Sequence, residues 1–289
     1  MDSKTELPLR KPEWLKKKFS LDNQRGMKTD LRSLKLHSVC EEARCPNISE
    51  CFSKGVATVM IMGDICTRAC KFCAVKTGRP KALDINEPQH VAEWAKAYEF
   101  KHVVITSVDR DDLPDLGAAH FAAVIQQTKT TNPALSIEVL TPDFQGRESC
   151  LATICAAPIN VFNHNLETVR RLTPQVRSAA KYDRSLKVIR YVKDHHPQML
   201  TKSGLMLGLG ETKDEVLQSM QDLIDYGCDL LTLGQYLRPS QNHLPIHDYV
   251  HPDIFAELKV TGEKMGFRAV FSGPFVRSSY LADELIAGL

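Results

Sequence analysis

From Val56 onward the chain alternates short, continuous apolar runs with amphipathic ones. "VATVMIMG" (56–63), "HVVITSV" (102–108), "LSIEVL" (135–140), "INVFNH" (159–164), "TKSGLMLGLG" (201–210) and "DLLTLGQY" (229–236) are rich in Val, Ile, Leu and Thr, as buried strands are. Helical spacing fills the intervals: Pro88 to Tyr98, Ala118 to Lys129, the stretch after Phe144, two segments between Leu166 and Val192, and Glu211 to Tyr226. The last opens "ETKDEV", where Thr212 with Glu215 predicts a capping box. Six βα units with continuous apolar strands predict an α/β fold, a parallel sheet covered by helices. Their number and spacing favour a barrel-like curl over a flat doubly wound sheet. In either arrangement function collects at the C-terminal ends of the strands. Thr106, Ser107, Asp109, Glu138, Asn163, Asn165 and Gln235 fall at or near those ends. Residues 1–55 and 241–289 then flank a catalytic domain of residues 56–240.

Length and charge narrow this picture. A chain of 289 residues with 43% hydrophobic content can bury a substantial core. A net charge of +2 gives no global electrostatic footprint for nucleic acid, so no such partner is expected. No apolar run approaches bilayer length, and no membrane association is expected. "LRKPEWLKKKF" is interrupted by Pro12 and Glu13 and is Lys-rich, unlike a secretory or mitochondrial leader; a cytoplasmic protein is expected. The basic residues between Arg10 and Arg32 read as a solvated arm, with a docking surface for an acidic partner as the functional alternative.

Nine cysteines without a secretion signal point to metal or redox chemistry rather than a disulfide framework. Cys40, Cys45 and Cys51 form one triplet; Cys66, Cys70 and Cys73, in "CTRACKFC", form a second. Cys150, Cys155 and Cys228 stand apart and read as small core residues. Clustered thiolates bind zinc or iron in sulfide clusters. Structural zinc usually takes two cysteine pairs that close a four-ligand shell. Each triplet here leaves a fourth position to be filled from elsewhere, which suits a cubane cluster with one distinguished iron better than closed zinc.

The C-x3-C-x2-C loop follows the first strand directly, carries Phe72 before its last cysteine, and is followed by βα repeats. In these features the chain resembles the radical S-adenosylmethionine superfamily. That resemblance implies a partial (β/α)6 barrel with N- and C-terminal extensions. It implies a [4Fe–4S] cluster held by Cys66, Cys70 and Cys73, with S-adenosylmethionine chelating the fourth iron and yielding a 5′-deoxyadenosyl radical. Phe72, Thr106 and Ser107 at the second strand end, and Asn163 at the fourth, become the expected cofactor contacts.

The upstream "CEEARCPNISEC", with C-x4-C-x5-C spacing, is similar to the auxiliary-cluster signature of the lipoyl synthase family. So are "TSVDRDDLPDLGAAHF", "FNHNLETVRRLTPQVR", "SGLMLGLGET", "GQYLRPSQNHLP" and the C-terminal "GPFVRSSY". The likeness runs from about Leu31 to Tyr280 and departs just after, where Leu281-Ala282 replaces the family's frequent His-Ala. It implies a second [4Fe–4S] cluster on Cys40, Cys45, Cys51 and Ser279. A serine oxygen is a poorer match to cluster iron than thiolate, which suits a cluster that gives up sulfide.

The resemblance implies sulfur insertion at C6 and C8 of an octanoyl chain on a carrier protein, with two S-adenosylmethionine molecules per product. Expected partners are the octanoylated carrier protein or domain and an electron donor such as flavodoxin or ferredoxin, acting on a monomer. The competing readings are a biotin-synthase-like or methylthio-transferring radical enzyme and, from another class, a zinc-stabilised binding protein. Four features stay open at this level. "DRDD" (109–112) has no basic complement nearby in sequence and reads as a salt-bridged loop. Arg277 either orients the Ser279 loop or pairs with a surface acid. "GLMLGLGE" either approaches the cofactor or simply packs. His195 and His196 read as a solvated helix end.

Overall fold

A computed structural model describes residues 10–16, 25–42, 45, 47–53 and 58–279. Tyr280 and the departure at 281–282, the first two residues of the run beginning at Val56, and residues 17–24 of the basic arm lie outside the described residues. The strands are β1 (His37–Ser38), β2 (Thr58–Ile61), β3 (Ile65–Cys66), β4 (Lys76–Thr77), β5 (His102–Ser107), β6 (Ser136–Leu140), β7 (Val161–Asn163), β8 (Leu200–Leu207), β9 (Leu230–Gln235) and β10 (Ala269–Gly273).

The main sheet runs β1-β2-β5-β6-β7-β8-β9-β10, with β3 and β4 paired separately. Every neighbour in the main sheet is parallel except β1 against β2. The six expected strands are therefore present in sequence order, in an α/β fold with a mostly parallel sheet. The sheet also continues past residue 240: helix Pro252–Met265 returns the chain and β10 pairs with β9, Ala269 opposite Leu230.

Alternation along the strands separates two faces. Ile137 and Val139 of β6 and Phe162 of β7 pack with Phe121, Val124 and Ile125 of helix Ala118–Thr131 in one apolar layer. Leu205, Leu231 and Val270 do the same with Val216, Met220 and Leu223 of helix Lys213–Asp225. The residues between them face the other way. At one end of that inner face Val161 and Leu230 form a small apolar group with Leu200, Ala269 and Phe271. Further along it Glu138 of β6, Asn163 of β7 and Lys202 of β8 meet through side-chain bonds. The predicted capping box is present, with Thr212 accepting from the Glu215 amide and the Glu215 side chain accepting from the Thr212 amide. Cys150, Cys155 and Cys228 are buried free thiols, as expected of core residues.

Candidate functional site

Cys66 closes β3, and Cys70 and Cys73 lie in the loop before β4. Backbone bonds pin this loop to three separate parts of the strand-end rim. The Thr67 amide donates to the Asp109 carbonyl (3.1 Å), the Lys71 amide to the Val176 carbonyl (3.0 Å), and the Leu244 amide to the Lys71 carbonyl (3.1 Å). His243 Nε2 stands 3.0 Å from the Cys73 carbonyl, which only accepts, so that nitrogen carries the proton. The amides of Arg68 and Asp109 donate to Cys66 Sγ at 3.4 and 3.3 Å.

The basic complement of "DRDD" is Arg68, between the first two cysteines of the loop. Its Nε and Nη2 form a fork on Asp111 (2.7 and 2.8 Å), while Nη1 lies 3.2 Å from Asp109 and 2.8 Å from Asp143. Arg110 makes a second fork within the motif, on Asp112. The salt-bridged reading of the loop is thus borne out. The bonds from Arg68 hold the Asp111 carboxyl down at about 2, whereas burial pushes Asp109 up to about 6 despite the same guanidinium.

Burial also dominates at the thiols. It raises Cys66 to about 11, with the Asp109 charge adding to it, raises Cys70 to about 12 against the charge of Arg177, and raises Cys73. Such thiols stay protonated unless a metal displaces the proton. Among the described residues no three His, Cys, Asp or Glu side chains converge on a point that would hold one metal ion.

The rim beside the cysteine loop holds buried polar atoms with no partner among the described residues: Ser107 Oγ, Thr141 Oγ1, Asn163 Oδ1, Asn165 Oδ1 and Arg177 Nε. Buried polar groups are normally satisfied, so these atoms are available to a polar ligand at the rim; other unpartnered atoms, such as Trp94 Nε1 and Thr128 Oγ1, lie on the outer helices. With thiols from one loop, two amides donating to sulfur and a rim of unanswered hydrogen-bonding atoms, the residues present fit an iron–sulfur cluster with a polar cofactor beside it.

Of the expected cofactor contacts, Ser107 and Asn163 carry such free atoms. Thr106 instead donates its hydroxyl to the Leu140 carbonyl (2.8 Å), and Phe72 packs against the apolar group that contains Leu166 and Val176. Glu138 lies mid-strand rather than at a strand end. It is wholly buried, with Lys202 Nζ 3.0 Å from each carboxylate oxygen and Asn163 Nδ2 2.9 Å from Oε1. Burial alone would raise its pKa; Lys202, then His102 and Asn163, outweigh that and hold it below the ordinary carboxylate value. Gly208 in "GLMLGLGE" is a packing glycine: a Cβ there would lie 2.3 Å from the Asp248 carbonyl oxygen and from Gln235 Nε2, at a φ of +95°. His195 is exposed in the last turn of its helix and stacks on Tyr191, as a solvated helix end does.

The other triplet lies beside β1, at the β1–β2 edge of the main sheet. Cys40 sits in helix Val39–Glu42, Cys45 follows it with an amide donating to the Cys40 carbonyl (3.0 Å), and Cys51 lies in helix Ile48–Ser53. Burial, followed by the neighbouring Cys45, pushes Cys40 up to about 11. The C-terminal segment reaches this region: Asn47 Nδ2 donates to the Phe275 carbonyl at 2.7 Å, and Arg277 lies within electrostatic reach of Cys45. Among the described residues Arg277 pairs with no surface acid; its guanidinium donates to the Val276 carbonyl at 2.6 Å. Ser278 accepts from Asn165 Nδ2 at 2.6 Å. Ser279 follows in the same turn, half-buried. Two inner-face glycines admit this segment. A Cβ on Gly234 would lie 2.1 Å from the Val276 carbonyl oxygen, and one on Gly204 would lie 3.3 Å from Ser278 Oγ and 2.6 Å from Thr232 Oγ1.

Arg68, Arg177, Lys202 and Asn47 were not singled out by the sequence. The partners of Arg68, Lys202 and Asn47 lie far along the chain (Lys202 and Glu138 are 64 residues apart), and Arg177 donates to the backbone carbonyls of Asn165 and Leu166, contacts that no local spacing signals.

Comparison with known proteins agrees with this geometry. The Radical SAM superfamily is matched over residues 60–223 and the N-terminal domain of lipoyl synthase of the Radical SAM family over residues 2–45. Lipoyl synthase from Shouchella clausii is 54% identical over 97% of this chain and 92% of its own length. Lipoyl synthase from Thermus thermophilus is 54% identical over 95% of this chain and 86% of its own. Among solved structures, methylornithine synthase aligns with a TM-score of 0.55 at 16% identity, covering 89% of this chain and 87% of that one. The FeFe-hydrogenase maturase HydG from Carboxydothermus hydrogenoformans aligns at 0.57 and 14%, covering 79% and 64%. These two show the fold alone. A zinc-stabilised binding protein is set aside by these matches, and the chain belongs to the lipoyl synthase family of the radical S-adenosylmethionine superfamily.

Proposed function

We propose that this chain is a lipoyl synthase, inserting two sulfur atoms at C6 and C8 of an octanoyl group borne by a carrier protein or domain. The observation that carries this reading is the C-terminal segment, which touches both the loop of the first triplet, through Asn47 and Phe275, and the barrel rim, through Asn165 and Ser278. When bound, two [4Fe–4S] clusters and S-adenosylmethionine supply hydrogen abstraction at unactivated carbon and the inserted sulfide, chemistry that acid–base side chains cannot provide.

The chain's own work is holding and positioning. Cys66, Cys70 and Cys73 hold the cluster at the rim. Cys40, Cys45 and Cys51 hold the auxiliary cluster, with Ser279 as a harder fourth ligand. Ser107 and Asn163 bind S-adenosylmethionine with their unpartnered polar atoms, with Thr106 beside Ser107 at the β5 end and Phe72 within the cysteine loop. Arg68 keeps the cysteine loop docked on the rim. In this division residues 1–55 bring the auxiliary triplet, 56–240 the six expected barrel strands, and 241–289 the closing segment, whose β10 extends the same sheet. The enzyme acts as a cytoplasmic monomer, takes electrons from a flavodoxin or ferredoxin, and engages neither nucleic acid nor membrane. Among the described residues no helix is long and apolar enough to cross a bilayer. The basic stretch from Arg10 to Arg32 offers an acidic carrier a complementary surface.

Ser279→Ala tests the assignment. It is expected to leave 5′-deoxyadenosine formation intact while abolishing lipoyl product; sulfur insertion by this variant would remove Ser279 from the mechanism.

A further inference from the structure

The inner face of the barrel carries a charged pair that the reaction does not consume. Glu138 and Lys202 are both wholly inaccessible, on β6 and β8, and they meet across the single strand β7. A buried pair of this kind is often no more stabilising than apolar residues of the same shape, and this one also holds Asn163 and lies 3.7 Å from His102. Its consequence is at Asn163, the β7 residue aligned with Lys202. The Asn163 atom 2.9 Å from Glu138 Oε1 must be the amide nitrogen, because an ionised carboxylate only accepts. The Lys202 ammonium, with three donors and no acceptor, keeps the carboxylate ionised and cannot exchange roles with it. The amide therefore has one orientation, and it leaves Oδ1 as the buried atom without a partner among the described residues.

We propose that Glu138, locked by Lys202, is a positioning residue that fixes the Asn163 amide so that only its oxygen faces the ligand. Asn163 then selects a hydrogen-bond donor, and rests on the reading above that the ligand is S-adenosylmethionine, whose sugar hydroxyls are such donors. Asn165, two residues on, differs: its Nδ2 donates to Glu167 (3.1 Å) and to the Ser278 hydroxyl (2.6 Å), and burial raises the Glu167 pKa, so nothing equivalent to Lys202 among the described residues fixes that amide.

The test is an exchange of side chains. Asn163→Asp keeps an acceptor for the sugar but sets a second carboxylate oxygen against Glu138. If Asn163 were only an acceptor, unaffected by Glu138, this variant would bind as well as the wild type. Adding Glu138→Gln restores one amide and one carboxylate with the bond reversed; Lys202 keeps its contact at the Oε2 position and turns from Oε1 to the new carboxylate at position 163, with which it is aligned across β7 and β8. The readout is equilibrium binding of S-adenosylhomocysteine and its 2′-deoxy and 3′-deoxy analogues to anaerobically prepared, cluster-bearing protein, with thermal unfolding of the metal-free chain alongside. Wild type is expected to bind one deoxy analogue about tenfold more weakly than the parent compound. Asn163→Asp is expected to lose about tenfold or more for the parent, and the exchanged pair to recover both affinity and selectivity to within about threefold.

A wild type that does not discriminate among the three ligands overturns the cofactor assignment of Asn163 and this proposal together. A discriminating wild type whose selectivity survives in Asn163→Asp, or is not recovered by the exchange, overturns the positioning role alone. Should Asn163→Asp not fold, the exchanged pair decides by itself: wild-type selectivity supports the role and its loss overturns it.

Discussion

The Arg68 guanidinium forms a two-bond fork on the Asp111 carboxylate, at 2.7 and 2.8 Å, and so joins the cysteine loop to the loop that follows β5. Two further carboxylates, Asp109 and Asp143, lie within 3.2 Å of the same side chain. The loop that holds Cys66, Cys70 and Cys73 is thus not held by its metal alone; a nearly buried arginine inside it is its anchor to the barrel.

Removing that anchor leaves three carboxylates facing one another. Arg68→Met is expected to destabilise the metal-free chain by about 3–5 kcal/mol in denaturant unfolding, the usual size for stripping one partner from a buried ion network. Arg68→Lys keeps the charge without the fork and should fall between. Arg68→Met unfolding like the wild type would show that the network does not secure the loop.

His164 gives a pH signature independent of the metal. It is buried, its Nδ1 lies 2.9 Å from the Thr141 carbonyl, and its Nε2 accepts from the Ser185 hydroxyl at 2.9 Å. Burial first, then the Arg177 charge, push its pKa down to about 4, against the pull of Asp143. Below about pH 6.5 the unfolded chain takes up a proton that the folded chain refuses until about pH 4, so this contribution is lost as pH falls through that window. The stability advantage of wild type over His164→Gln is expected to shrink by about 1 kcal/mol between pH 7.5 and 5.5. A constant difference across that range would mean that His164 titrates normally in the fold.

Gly234 sets the path of the C-terminal segment. A methyl group there would meet the Val276 carbonyl oxygen, a backbone atom that cannot move without shifting the turn. Gly234→Ala is expected to expose residues 274–279 to limited proteolysis and to abolish lipoyl product while leaving 5′-deoxyadenosine formation in place. Normal product yield from this variant would separate the segment from sulfur insertion.

The barrel was legible because its strands are continuous apolar runs, and the Thr212 capping box because its signal is local. The short strands β1, β3 and β4 span two residues each, too few for any periodicity to register. β10 was missed because only Val270 among its five residues is buried, so "AVFSG" carries little of a buried strand's pattern. The cysteine triplets could be read because metal ligands from one loop repeat at short spacing. Arg68 with its aspartates, Glu138 with Lys202, and Asn47 with Phe275 are contacts made by topology, and adjacency in the chain says nothing about them. Thr106 and Ser107 looked equivalent in sequence; only the hydrogen bond from Thr106 to Leu140 distinguishes them.

The central claim is that the two cysteine triplets hold two separate clusters, and the iron and acid-labile sulfide content after strictly anaerobic purification tests it most directly. The wild-type chain is predicted to hold about eight of each, and about four of each when either Cys40, Cys45 and Cys51 or Cys66, Cys70 and Cys73 are replaced by alanine. Zinc without labile sulfide, or about four irons in the wild type unchanged by loss of Cys40, Cys45 and Cys51, would contradict it.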